Sequence, residues 1–155
     1  MDGWKDGTYH VGMTTLPTAF IAAATAMLIG QLSKIIRPLF SGQGFNLKHF
    51  TMSGGMPSAH TGAVAAMSFT CGLREGFGSS VFAVSAVLTA VVAHDAVKVR
   101  GTMNTMIQIL KETASEDVLN SRAKLPDTVG HTVLEVVMGF VLAAVVAAGC
   151  HLLLP

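Results

Sequence analysis

Two histidines in this sequence lie beside residues that could make them chemically active. His60 follows the segment Gly54-Gly55-Met56-Pro57-Ser58-Ala59, and Glu135 stands four residues after His131. One imidazole can attack phosphorus, a carboxylate can orient that imidazole, and a second imidazole can protonate the leaving oxygen. Two histidines, a carboxylate and nearby cations are what phosphoryl transfer through a covalent histidine intermediate needs.

The glycine-rich segment is typical of a chain that turns tightly and then begins a helix. Its two glycines free the backbone, Pro57 fixes a turn, and Ser58 occupies the expected N-cap. We expect the helix to begin near residue 58, with unpaired N–H groups and its positive dipole end facing an anion such as phosphate. Gly55 and Ser58 are therefore predicted to bind an anion. A plain loop and N-cap at a membrane edge would give the same pattern.

The composition is that of a membrane protein. Hydrophobic residues make up 51% of the 155 residues and charged residues only 12%, and the mean hydropathy is +0.57. The net charge of +1 gives no basic field that would favour nucleic acid. The sequence therefore predicts one membrane domain, residues 1–155, in contact with a lipid bilayer and not with nucleic acid.

Four apolar stretches predict a multi-pass, all-α helical bundle. They cover residues 11–32, 58–73, 79–97 and 131–154, and the second is short enough to be tucked among the others. Small residues on these helices favour close helix contacts and make a homo-oligomer plausible. Residues 101–120 carry apolar side chains at helical spacing, which predicts an amphipathic helix at the interface or over a cavity, or else an ordinary surface helix.

Alternating helix directions would bring most ionisable groups to one face of the membrane. The helix ends that meet there carry Lys34, Arg37, Ser58, His60, His94, Asp95, Lys98, Arg100, His131 and Glu135. Because ionisable residues at membrane depth are costly and usually functional, this grouping predicts a single cationic pocket. Two alternatives stay open: the basic residues of the first helix could be interfacial anchors, and His131 with Glu135 could be a helix cap.

Three segments of the sequence resemble the small, divergent branch of the type 2 phosphatidic acid phosphatase and vanadium haloperoxidase superfamily. They are Gly54 to His60, Asp95 to Arg100, and Gly130 to Glu135. The likeness extends from about Gly30 to the C-terminus. It implies a helical membrane phosphatase that removes phosphate from lipid phosphates or pyrophosphates without a metal or other cofactor.

The resemblance also implies roles for individual residues. His60 would be the general acid, His131 the nucleophile, and Glu135 the carboxylate that orients it. The third-motif arginine would be either Arg122, in the dipeptide Ser121-Arg122, or Arg100. The full set of expected substrate-binding residues is Lys34, Arg37, Gly55, Ser58, Asp95, Lys98, Arg100 and Arg122.

Three functions fit such a pocket. The leading hypothesis is a phosphatase acting on a lipid-linked or otherwise interfacial phosphate. The alternative is a membrane binding or transport protein that recognises a phosphorylated lipid without hydrolysing it. A third hypothesis is a zinc or manganese site, although no compact ligand spacing supports it; its ligands would be His60, His94, Asp95, His131 and Glu135.

Basic residues predict that the pocket faces the cytoplasm. Eight lie in the first and third connections, against Lys5 and Arg74 on the other side. Four of those eight, Lys34, Arg37, Lys98 and Arg100, belong to the predicted pocket itself, and without them the bias is four against two, so an outward-facing pocket stays open as the alternative.

Overall fold

The computed structural model describes residues 17–40, 55–113 and 130–154, without the side chains of residues 37–40. The described residues contain helices and no strand, which confirms the predicted all-α fold. The elements are α1 (Thr18–Phe40), α2 (Ala59–Glu75), α3 (Ser80–His94), a π-helical segment (Asp95–Val99), α4 (Arg100–Thr113) and α5 (Val133–Leu153). Residues 11–16 and 114–120, at the edges of two predicted helices, lie outside the described residues.

Three helical runs in the described residues are long and apolar enough to cross a membrane. They are Thr18–Ile36, Ser80–Thr113 and Val133–Leu153. Helix α2 has 17 residues and spans about 26 Å, slightly less than the hydrocarbon core. It packs against α1, α3 and α5, and most of its residues are buried. The expectation that the second helix is tucked among the others is therefore confirmed.

The centre of the bundle is built from small side chains. Its buried residues come from α1, α2 and α5, and they are Ala22, Ala26, Ala65, Ala66, Ala143 and Val146. Phe69 and Phe140 pack at the edge of this core, with ring centroids 6.4 Å apart. Small residues let helix backbones approach closely, which is how helices in lipid gain van der Waals contact.

Helices α1 and α5 both approach the start of α2 closely. A Cβ added to Gly139 of α5 would lie only 2.9 Å from the Ser58 carbonyl oxygen, and one added to Gly30 of α1 would lie 2.8 Å from Ala59 Cβ. Only residues without a Cβ fit these two contacts. Helices α1 and α5 are therefore held directly against the turn that precedes His60.

The end of the bundle away from His60 shows how α2 and α5 are oriented. The Arg74 guanidinium, near the end of α2, donates to the Cys150 carbonyl at 3.4 Å and to the Leu154 carbonyl. A cation suits the negative end of the α5 dipole. Helices α2 and α5 therefore run parallel, and both begin at the same end of the bundle.

The predicted break between the third helix and the amphipathic helix is wrong. The chain stays helical from Ser80 to Thr113, through the π-helical segment and Gly101. A glycine inside a helix costs only about 1 kcal/mol relative to alanine, too little to end a helix whose backbone bonds continue. Helix α4 has no buried residue, so its apolar side chains cover no cavity among the described residues.

Candidate active site

The first turn of α5 holds a buried histidine against a carboxylate. His131 lies just before the N-cap Thr132, with its side chain 2% exposed, and its Nδ1 is 2.9 Å from Glu135 Oε2. The same Oε2 accepts the Thr132 backbone N–H at 3.0 Å, and Thr132 Oγ1 accepts the Glu135 N–H at 3.3 Å. Glu135 therefore caps the helix and orients the imidazole with one oxygen, so the two alternatives drawn from the sequence are not exclusive.

The contact with Glu135 determines which nitrogen of the His131 ring keeps a free lone pair. A neutral imidazole that donates its Nδ1 hydrogen to Glu135 keeps its lone pair on Nε2. A nucleophile next to a group that orients it is the usual arrangement in covalent catalysis. His131 Nε2 is therefore the ring nitrogen whose lone pair this contact leaves free.

Two backbone hydrogen bonds attach this turn to the rest of the bundle. The His131 N–H donates to the Ala96 carbonyl at 3.1 Å, and the Ser58 N–H donates to the Glu135 carbonyl at 2.9 Å. The start of α5 is thus bonded to the π-helical segment on one side and to the start of α2 on the other. The backbone itself fixes the distance between the two segments that carry His60 and His131.

The π-helical segment makes the first of these bonds available. The Arg100 N–H donates to the Asp95 and Val97 carbonyls and not to the Ala96 carbonyl, to which it would donate in a regular α-helix. The Ala96 carbonyl instead accepts from His131. Single π-helical turns inside α-helices are frequent at functional sites.

The same segment determines which cation pairs with Asp95. Asp95 Oδ2 is 3.1 Å from Arg100 Nε, and the two residues are five apart, as the wide π turn favours. Lys98, which has the i, i+3 spacing of an α-helix, is exposed. Asp95 therefore holds Arg100 in place.

Lys34 is buried at the end of α1. Its side chain is next to Gly55, which has φ +88°, and the residue is only 9% exposed. The charges of Glu135 and Arg100 act on its ammonium group. Because a buried ammonium is costly without a counter-charge, this environment fits a ligand of the pocket better than an interfacial anchor.

His60 faces solvent from the first turn of α2. The charges of Arg100, Lys34 and His131 all act on its imidazole, so these groups share one end of the bundle. Ser58 is the N-cap, as predicted, but its buried hydroxyl donates to Thr61 Oγ1 at 3.0 Å rather than capping a backbone N–H. Its structural contribution is to fix the turn that precedes His60.

The structure brings five of the expected residues together, and we call them the polar cluster: Lys34, His60, Arg100, His131 and Glu135. Gly55 and Ser58 lie beside this cluster, and Asp95 joins it through Arg100. The side chain of Arg37 and all of Arg122 lie outside the described residues. His94 is exposed, and the five residues considered as metal ligands form no group of three in the described ranges.

Two groups that hold the turn around His131, Thr132 and the Ala96 carbonyl, were not identified from the sequence. Thr132 has a readable signal, because Thr-x-x-Glu before an apolar run is the pattern of a capping box. The Ala96 carbonyl has no such signal in the sequence, because it is left free to accept only where the helix forms a π turn.

The fold and the site together define a helical membrane protein with an imidazole, a carboxylate and cations gathered at one end of its bundle. Residues 17–146 match the Divergent PAP2 family, and the chain belongs to that family. The resemblance stated from the sequence is therefore confirmed. The chain is also similar to the uncharacterized membrane protein YuiD of Bacillus subtilis (strain 168), with 29% identity over 141 residues, covering 82% of this chain and 88% of the Bacillus protein. No solved structure gave a significant match.

Proposed function

We propose that this protein is a membrane phosphatase that hydrolyses a lipid phosphate or pyrophosphate through a phosphohistidine on His131, without a metal ion. The observation that carries the proposal is the 2.9 Å contact between His131 Nδ1 and Glu135 Oε2, with the His131 side chain buried at the end of the bundle that holds the polar cluster. Membership in the Divergent PAP2 family supports the same reaction class. A helical membrane fold without these site residues would not support a phosphatase reaction.

The first step forms a covalent intermediate. His131 Nε2 attacks phosphorus, the bond from phosphorus to the leaving oxygen breaks, and His60 gives its proton to that oxygen. Glu135 stabilises the positive charge that develops on the His131 ring. The lipid alcohol, or lipid monophosphate, then leaves.

The second step restores the enzyme. Water attacks the phosphohistidine, the bond between phosphorus and Nε2 breaks, and neutral His60 accepts a proton from the water. Inorganic phosphate leaves, and both imidazoles return to their starting states. His60, exposed on the first turn of α2, has the access to solvent that this step requires.

Cations stabilise the charge on the transferring group. Lys34 and Arg100 carry this role in the described residues, and Asp95 orients Arg100 through the 3.1 Å contact. Arg37, Arg122 and Lys98 are further proposed ligands. Gly55 and Ser58 shape the turn next to the phosphate.

Leaving-group dependence tests the role of His60. We expect His60→Asn to lower hydrolysis of an alkyl phosphate about a hundredfold or more, because an alkoxide needs a proton in order to leave. An aryl phosphate, whose leaving group is a stable anion, should lose much less. Phosphate release by purified protein in a chelator is the measurement, with His94→Asn as the exposed-histidine control.

Equal losses on both substrates would contradict the assignment of His60 as the acid. Tight binding of a long-chain phosphate by native protein, with no phosphate released from any substrate, would instead support the binding or transport function.

We also propose that the polar cluster faces the cytoplasm, on the strength of the basic residues near it. A single cysteine at Thr102, exposed on α4, should react with a membrane-impermeant thiol reagent in inside-out vesicles and not in right-side-out ones. Cys71 and Cys150 are free and must first be replaced. The reverse labelling pattern would place the cluster on the outer face.

A further inference from the structure

An apolar groove of about 750 Å³ lies between α1 and α5, next to the polar cluster. Its walls include Leu32 and Ile36 of α1, Met138 and Val141 of α5, and the turn formed by Met56 and Pro57. Leu32, Ile36 and Val141 are each about half exposed. The groove opens on the side of the bundle that would face lipid.

One end of the groove meets the polar cluster on all three of its walls. On α1 the lining residue Ser33 is adjacent to Lys34, and its Oγ lies 3.5 Å from the Met56 carbonyl. Met138 stands three residues after Glu135 on α5, and the turn of Met56 and Pro57 stands between Gly55 and Ser58. One end of the groove therefore lies close to the polar cluster.

The groove runs from the cluster along the helices. Its α1 wall extends from Ile36 to Ile29, about 10 Å at the α-helical rise, and α5 supplies the facing wall. A molecule that suits both the apolar groove and the cations beside it has a hydrocarbon chain, which lies parallel to the helices, and an anionic group at one end. An ordinary bilayer chain would gain little by moving there, because lipid is as apolar as the groove. Selection must therefore come from the anionic group held by the cations.

We propose that this groove holds the alkyl chain of the phosphorylated lipid while its phosphate lies in the polar cluster. The assignment rests on the proposed function for the position of the phosphate. Binding energy from a remote chain can be used to orient the reacting group, so the groove should matter for long-chain substrates and not for short ones.

Crosslinking tests occupancy without requiring turnover. The full-length protein in phosphatidylcholine vesicles is irradiated with a hexadecyl phosphonate that carries a mid-chain diazirine, and adducts are mapped by mass spectrometry. We expect adducts on groove residues of α1 and α5, and several-fold fewer with a trimethylammonium analogue of the same chain. Equal labelling by both probes would show that bulk lipid fills the groove, and phosphonate adducts elsewhere would place the chain elsewhere; either result overturns the proposal.

A matched pair of variants tests the consequence for substrate preference. Val141→Trp fills the groove, whereas Val145→Trp alters an exposed residue of α5 that does not line it. We expect Val141→Trp alone to lower kcat/KM for hexadecyl phosphate by about tenfold, with butyl phosphate hydrolysed at the native rate. Equal effects of the two variants on hexadecyl phosphate would overturn the proposal. Correct crosslinks without any hydrolysis would refute the phosphatase and leave the groove assignment standing.

Discussion

Replacing His131 with alanine is expected to lower phosphate release by about a thousandfold or more, because it removes the nitrogen that we propose attacks phosphorus. The measurement is hydrolysis of alkyl phosphates by purified protein, together with trapping of an acid-labile phosphoenzyme during turnover. The native protein should carry the trapped phosphate on His131, and the variant should carry none. His151→Ala is the matched control, since His151 is exposed in the last turn of α5, far along the helix from the cluster.

Glu135→Gln separates the two tasks of the carboxylate within the same experiment. A glutamine oxygen can still accept the Thr132 N–H, so the start of α5 should stay capped and the thermal stability nearly unchanged. The neutral amide orients and stabilises the imidazole less well, and we expect activity to fall about 10- to 100-fold. Native rates in the His131 variant, or phosphate trapped on another residue, would contradict the mechanism. Full activity in Glu135→Gln would reduce Glu135 to a helix cap.

Adding one methyl group at Gly139 is expected to destabilise the bundle and to disturb the polar cluster. The new Cβ would lie 2.9 Å from the Ser58 carbonyl and 3.3 Å from the Gly62 nitrogen. Both neighbours are backbone atoms at the start of α2, so α2 and α5 must move apart, at a cost of about 1 to 3 kcal/mol. Gly139→Ala should lower the midpoint of thermal unfolding by several degrees and reduce turnover, because His60 is carried by α2 and His131 precedes α5.

Gly149 provides the control on the same helix. A Cβ there meets nothing within 4 Å, so Gly149→Ala should leave stability unchanged or slightly raised. If the two variants unfold at the same temperature, the close approach at Gly139 does not hold the helices as described. If Gly139→Ala is destabilised but keeps its full turnover, the spacing of α2 and α5 is not what positions the site.

The sequence was informative where local chemistry determines structure. Ser58 becomes the N-cap of α2 because an extended serine after a proline turn favours that position, and the helix begins at the next residue. The short second stretch had to be covered by other helices, because 17 residues barely cross the hydrocarbon core. Alternating helix directions were then enough to bring His60 and His131 to one end.

Register was the property that the sequence did not reveal. The sequence predicted separate helices over residues 79–97 and 101–120, yet the chain stays helical through Gly101, since one glycine costs little within a bonded helix. Either Lys98, at the i, i+3 spacing, or Arg100 could pair with Asp95 from the sequence, and in the π-helical segment the partner is Arg100. A π turn adds one residue to a helical turn and so changes which side chains are neighbours. No residue type in the sequence predicts where such a turn occurs.

Glu135 Oε2 has one role in the fold, as part of the cap of α5, and one in the proposed reaction, as the atom that orients His131. The oxygen that closes the first turn of α5 is also the one that steers the His131 ring, so fraying of that turn releases the imidazole at the same moment. The fraction of competent molecules is then limited by the free energy of opening this single turn, well before the whole bundle unfolds. Heating should therefore inactivate the protein below its melting temperature, with loss of hydrogen-exchange protection at the start of α5 as the accompanying sign.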